Sequence, residues 1–266
     1  MSGVADGGGG AMVTGERRGR LAIVRFCNPP TGWIPTRGAT ALADTIRPLL
    51  ADPGIGAIIL TGGQPHVFIR HADVGSIARS ARAMQEGRIS VEDFAQNPFI
   101  DLCALLDRAD KPVIAAIDGV CMGGGLEIAL ACTMRIAGAK ATTIGLPEIR
   151  LDITPGGGGI PRLARVVGPH RARLLALCGT LVDAAMAARL GIVDECVDDA
   201  FARAVEWGER FACRHPAAIA AIMRGADSGA SPQDSSRAFA RVVALPEVLA
   251  RVERFLAEGE RLDELE

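Results

Sequence analysis

The chain has 266 residues, 49% of them hydrophobic, enough for one sizeable core or one core with a small appended lobe. Charged residues make up 23% and the formal net charge is −2. No clustered basic stripe marks a nucleic-acid surface, and no run of about 18 or more apolar residues marks a membrane span. The seven cysteines form no C-x-x-C pair, and the four histidines show no H-x-x-x-H spacing. Reduced, mostly buried thiols in a reducing, cytoplasmic setting are therefore expected, with no metal site.

The glycine-rich start lacks the apolar centre of a signal peptide, and residues 1–15 are expected to form a flexible tail. Leu21–Phe26 (LAIVRF) is β-branched and apolar and ends at Asn28-Pro29-Pro30, which predicts a strand. Thr36 is placed to cap a helix over 37–50, where Leu42, Ile46, Leu49 and Leu50 share a face. A short buried strand follows over 56–61, then another over 67–69, and Asp73 is a helix cap for a segment starting at Val74. The spacing of Phe94, Phe99, Leu102, Leu105 and Leu106 predicts one helix over 92–108.

Strands are predicted over 112–117, 134–137, 141–144 and 193–197, with an apolar helix, 126–131, opened by Gly123-Gly124-Gly125. Beyond residue 201 only helical patterns remain. Strands and helices thus alternate through residue 200, which predicts an α/β core over 16–200 and a helical C-terminal lobe over 201–266.

Two glutamates stand out. Glu127 is the only ionisable residue in CMGGGLEIALAC, a segment apolar enough to be buried. Burying an unpaired carboxylate is costly and shifts its pKa, so Glu127 is a functional candidate; an ion pair with a distant arginine is the alternative. Glu148 follows Pro147, which disfavours a regular helix, so a strand-to-loop exit would aim its side chain into a cavity. The alternative is a surface pair with Arg150.

The glycine run at 123–125 would let a substrate approach the main chain, and the free N–H groups of the helix start would suit an oxyanion. Close helix packing is the plainer reading. No P-loop, G-x-G-x-x-G turn or G-x-S-x-G elbow fits the chain. A second run, Gly156–Gly159, reads as a flexible turn.

The stretch from Lys111 to Gly168, with K-P-V-I-A-A, G-G-G-x-E, P-E-x-x-L and P-G-x-G-G followed by R-L in order, resembles the crotonase (enoyl-CoA hydratase/isomerase) superfamily. Weaker resemblance spans about residues 20–260. It implies a ClpP/crotonase spiral of ββα units with the helical lobe at its end. It implies that Glu127 and Glu148 are catalytic and hold one water between them. Gly124 and Ala72 would be the oxyanion donors, and Arg70, His71, Asp73, Met122, Gly123, Pro147 and Gly156 would line the substrate site. The implied activity is hydration of a trans-2-enoyl-CoA, with a Δ3-Δ2 enoyl-CoA isomerase and a non-catalytic acyl-CoA-binding protein as alternatives. No cofactor is expected beyond the coenzyme A of the acyl-CoA substrate, and the expected assembly is a homo-oligomer, a trimer or a dimer of trimers.

The chain departs from the family pattern in places. His71 replaces a glycine, Gly75 stands where many members have lysine, and NPPTGWIPTRGATAL replaces the N-R-P…N-A-L segment. Asp152 replaces a common glycine and adds a third carboxylate expected near the pair. The dienoyl isomerase aspartate is absent, its position being Gly156.

Overall fold

The computed structural model describes residues 11–226 and 229–257. Its centre is a six-stranded sheet in the order β1 (Val13–Arg18), β2 (Leu21–Phe26), β3 (Ala57–Gly62), β5 (Val113–Ile117), β7 (Met134–Gly138), β10 (Glu195–Val197). All neighbours run parallel except the β1–β2 pair. A four-stranded sheet holds β4 (Val67–Ile69), β6 (Val120–Met122), β8 (Ile144–Gly145) and β9 (Leu181–Val182). From β3 to β8 the chain places strands alternately in the large and the small sheet. That alternation, with helices after the strand pairs, is the expected spiral of ββα units.

The inner strands β2, β3 and β5 are buried on both faces, which is why they read as largely apolar runs, whereas the edge strand β1 is exposed. Side chains alternate between two cores. Ala22, Val24, Ile58, Leu60, Val113, Ala115 and Ile117 face one; Leu21, Ile23, Ala57, Ile59, Ile114 and Ala116 face the other. The first core is closed by α1 (Thr36–Ala51), α4 (Pro98–Asp107) and α5 (Gly124–Ala131). The second is covered by α9 (Ala200–Ala212), whose Ala200, Ala204, Gly208 and Ala212 recur every fourth residue and let the helix lie close on the sheet.

α9 thus belongs to the core, although it lies beyond residue 200. α10 (Pro216–Gly225), α11 (Pro232–Val243) and α12 (Pro246–Ala257) have no fully buried residue among those described.

Several local expectations change. β1 begins at Val13, inside the stretch expected as a tail, because Val13–Arg18 pairs along the whole of β2; residues 1–10 lie outside the described residues. Thr36 is the first helical residue, not the cap, and Pro35 precedes it without a side-chain cap. The single helix expected over 92–108 is two, α3 (Val91–Ala95) and α4. Gln96 ends the first, and Asn97 caps the second by accepting from the Phe99 and Ile100 N–H groups, with Pro98 at the first helical position. Only Ile144 of the expected strand 141–144 pairs, together with Gly145. All seven cysteines are free, but Cys178 and Cys213 are exposed, so the thiols are less uniformly buried than expected. No helix among the described residues is long and apolar enough to cross a membrane.

Candidate active site

Every residue of α5 is buried, and Glu127 is 3% exposed. Its Oε1 accepts two backbone N–H groups, from Gly157 at 2.7 Å and Gly159 at 2.8 Å. The second glycine run is therefore not a mere turn: it supplies the donors that let a carboxylate sit in an apolar helix. Burial pushes the Glu127 carboxyl above its usual range, and these two amides and the Arg162 charge oppose that rise. Gly156, the glycine expected near the site, is exposed, with nothing within 4 Å of where a Cβ would stand. The amides that matter lie one and three residues later.

Glu148 opens a 3-10 turn, Glu148–Leu151, directly after β8 and Leu146-Pro147. The Pro147 carbonyl accepts from the Arg150 N–H at 3.0 Å and so closes the turn. Arg150 is exposed, and no ion pair links it to Glu148 among the described residues. Glu148 Oε2 is fully buried with no hydrogen-bond partner among the described residues. Burial, helped by the nearby Glu127 charge, pushes the Glu148 carboxyl up to about 7.

Asp152, expected as a third carboxylate beside the pair, is exposed and caps the 3-10 turn at φ 57. That left-handed conformation accounts for a glycine suiting the position, and only Glu127 among the acids raises Glu148.

The glycines of 123–125 bring backbone into the site. Gly123 has φ 53 and ψ −128, a conformation open to glycine, and its missing Cβ would stand 3.1 Å from Glu148 Oε1 and 3.4 Å from His71 Cβ. A Cβ on Gly124 would stand 2.9 Å from the Ala72 nitrogen, so these two residues touch along their main chains. Gly124 is the first residue of α5, where an N–H has no intrahelical partner. Ala72 forms a parallel bridge with Ile34 in which the Ile34 N–H donates to His71 O at 2.8 Å and the Asp73 N–H donates to Ile34 O at 2.9 Å. The Ala72 N–H therefore points from the opposite edge, the side of Gly124. Neither amide has a backbone acceptor among the described residues, and a pair of free N–H groups on neighbouring backbone can receive an oxygen carrying negative charge.

The remaining expected residues frame this centre. The Met122 N–H donates to the Arg70 carbonyl at 3.1 Å, tying β6 to the segment after β4. Arg70 itself is exposed. Asp73 caps α2 (Val74–Gln85): one oxygen accepts from the Gly75 N–H at 2.9 Å, the other from Ser76 Oγ at 2.5 Å and from Arg79 at 3.3 Å. Its carboxylate holds the loop that carries Ala72.

His71 Nδ1 lies 2.7 Å from Ala72 O, which can only accept, so Nδ1 carries a proton and donates. The ring packs on Trp33, 5.8 Å between centroids at 42°. Phe99 of α4 was legible in the sequence only as a helix-face residue. Its ring stands 3.2 Å from the Cβ position of Gly124 and also crowds that of Gly157, which makes it a wall of the site.

Comparison with known proteins agrees with this architecture. A family model described as enoyl-CoA hydratase/isomerase matches residues 16–249. The chain is 34% identical over 178 residues to the peroxisomal bifunctional enzyme of Danio rerio, covering 67% of this chain but only 23% of that protein. The crotonyl-CoA hydratase of Syntrophomonas wolfei is 34% identical over 184 residues, 68% of this chain and 67% of the relative. Among solved structures, Pseudomonas aeruginosa DspI superposes with a TM-score of 0.82 at 29% identity, covering 96% of this chain and 98% of that one. An enoyl-CoA hydratase from Bacillus anthracis also reaches 0.82, at 24% identity over 93% and 97% of the two chains, a likeness of fold. With the family model matched over residues 16–249 and the fold shared with solved relatives, the chain belongs to the enoyl-CoA hydratase/isomerase family.

Proposed function

We propose that this protein hydrates trans-2-enoyl-CoA thioesters, using Glu127 and Glu148 as the acid–base pair. The observation that carries this reading is the contrast between the two carboxylates. Glu127 is held by two N–H donors beside a positive charge, whereas Glu148 Oε2 is buried without a partner and its carboxyl is raised to about 7. A proton shared between them rests preferentially on Glu148. Glu127 then takes a proton from water as its oxygen bonds to C3, and Glu148 delivers a proton to C2. The thioester oxygen gains negative charge meanwhile, and the Ala72 and Gly124 N–H groups serve as its oxyanion hole, each donor worth about 3–4 kcal/mol in such sites. Water adds across the double bond with no other reagent, and coenzyme A enters as part of the substrate.

Crotonyl-CoA hydration, followed by loss of the enoyl absorbance with product stereochemistry, tests this reading. No turnover across a panel of short and medium enoyl-CoA substrates refutes it. A Δ3-Δ2 isomerase is the second reading, favoured by the engagement of Glu127 Oε1 with two amides, which would leave Glu148 to shuttle a proton alone. Conversion of a 3-enoyl-CoA without hydration of the 2-enoyl isomer would select it.

The same reading includes a homo-oligomer, a trimer or a dimer of trimers, working in the cytoplasm. Ile222 on α10 and Phe239 on α11 are each 69% exposed, apolar side chains that a subunit contact would cover. Sedimentation of the full chain at micromolar concentration tests it, and a monomer refutes it.

A further inference from the structure

Gly157 is gripped at both ends. Its N–H donates to Glu127 Oε1 at 2.7 Å, and its carbonyl accepts from Arg162 Nη1. Arg162, on α6 (Gly159–Val167), is 8% exposed. Its guanidinium is clamped by Asp107, the last residue of α4, whose Oδ2 accepts from Nε at 2.9 Å and from Nη2 at 2.5 Å. A chain of contacts therefore runs from the end of α4, through α6 and the glycine turn, to the carboxylate on α5.

A buried ion pair is weak as a device for stability, since apolar residues of similar volume often serve as well. What an apolar residue would not supply is a charge and a directed donor at the glycine turn. We propose that Arg162, oriented by Asp107, is a positioning residue that fixes the 157–159 turn and thereby holds Glu127 ionised and facing Glu148. This inference rests on the reading of Glu127 as a catalytic group, though part of its test does not.

The charged and titratable groups around Glu127 are few. Arg162 faces it from α6 and Cys103 from α4, and Glu148 faces it from the turn after β8. Asp107 acts on Arg162 from α4, and Arg135 of β7 is bound to Asp194. Arg162 is thus the one cation acting on Glu127 among them.

The test uses the full chain with Arg162→Gln, Arg162→Lys and Asp107→Asn. The Glu127 carboxylate band is followed by isotope-edited infrared titration and assigned by its loss in Glu127→Gln. Crotonyl-CoA kinetics are measured in parallel. In Arg162→Gln, Glu127 is expected to protonate at higher pH, with kcat lowered about ten- to a hundredfold and KM within about twofold. Arg162→Lys keeps the charge and is expected to restore most of the titration but less of kcat. Asp107→Asn is expected to lower kcat with the fold retained. A folded Arg162→Gln in which Glu127 titrates and the pH–rate profile runs as in wild type overturns the proposal. If that variant does not fold, the same two readouts on Arg162→Lys and Asp107→Asn decide, and wild-type behaviour in both overturns it. Should the wild type hydrate no enoyl-CoA, the functional reading falls, while the infrared titration still decides whether Arg162 governs Glu127.

Discussion

Glu148 Oε1 lies against the Gly123 backbone, so that a Cβ on Gly123 would stand 3.1 Å from it. Gly123 also holds φ 53 and ψ −128, where an L-residue is strained by roughly 1–3 kcal/mol. Gly123→Ala should therefore both destabilise the fold by about that amount and displace the Glu148 carboxylate. Urea denaturation and crotonyl-CoA kinetics check the two effects together. A variant with wild-type midpoint and turnover would mean that neither the turn nor the contact matters.

Glu127→Gln and Glu148→Gln should each lower kcat about 10²- to 10⁴-fold, the usual contribution of a positioned acid or base. In Glu127→Gln the amide oxygen can still accept the Gly157 and Gly159 N–H groups, so the fold should persist, as circular dichroism would show. With the proton resting on Glu148, kcat/KM should fall as pH rises through about 7 and the acid is lost. It should also fall at low pH as Glu127 takes a proton, giving a bell. A profile flat between pH 6 and 8 would contradict the assignment of Glu148 as the acid.

Much of this site was legible in the sequence because the signals were side chains out of place. Glu127 stood alone among apolar residues, Glu148 followed a proline, and Asp73 preceded a helix start, where it does cap α2. The fold was legible because strands buried on both faces read as unbroken apolar runs. The partners of Glu127 were not legible, since the Gly157 and Gly159 amides leave no trace in residue type beyond a glycine run that also suits a plain turn. Arg162 and Asp107 meet only through folding, and no spacing rule joins positions so far apart. Strands of two or three residues, β6, β8 and β9, pair through register alone and are too short to show a period.

The His71 ring bridges the Ala72 carbonyl and the Trp33 indole. His71→Gly removes both contacts and frees the carbonyl of Ala72, the residue whose N–H is a proposed oxyanion donor. We expect kcat to fall by less than about a hundredfold, the low end of losing one donor outright. Trp33 emission should change as well. The chain has only two tryptophans, and Trp207 is tied to Glu195 at 2.8 Å, so a shift is assignable to Trp33. Wild-type kinetics and emission together would show that the histidine only fills space.

Glu148 also makes stability depend on pH in a direction that can be worked out. Its carboxyl is raised from 4.5 to about 7 in the fold because burial disfavours the charged form. Between those values the native state holds a proton that the unfolded chain has lost, so stability falls as pH rises through that window and levels off above it. Glutamine mimics the protonated form and does not titrate. Glu148→Gln should therefore match wild type near pH 4.5 and be the more stable of the two at pH 8, with a flatter dependence in between. Urea midpoints measured at both pH values check this. A variant less stable than wild type at pH 8 would mean that the ionised carboxylate is stabilised by its surroundings. That is incompatible with a buried, unpartnered oxygen holding the proton at neutral pH.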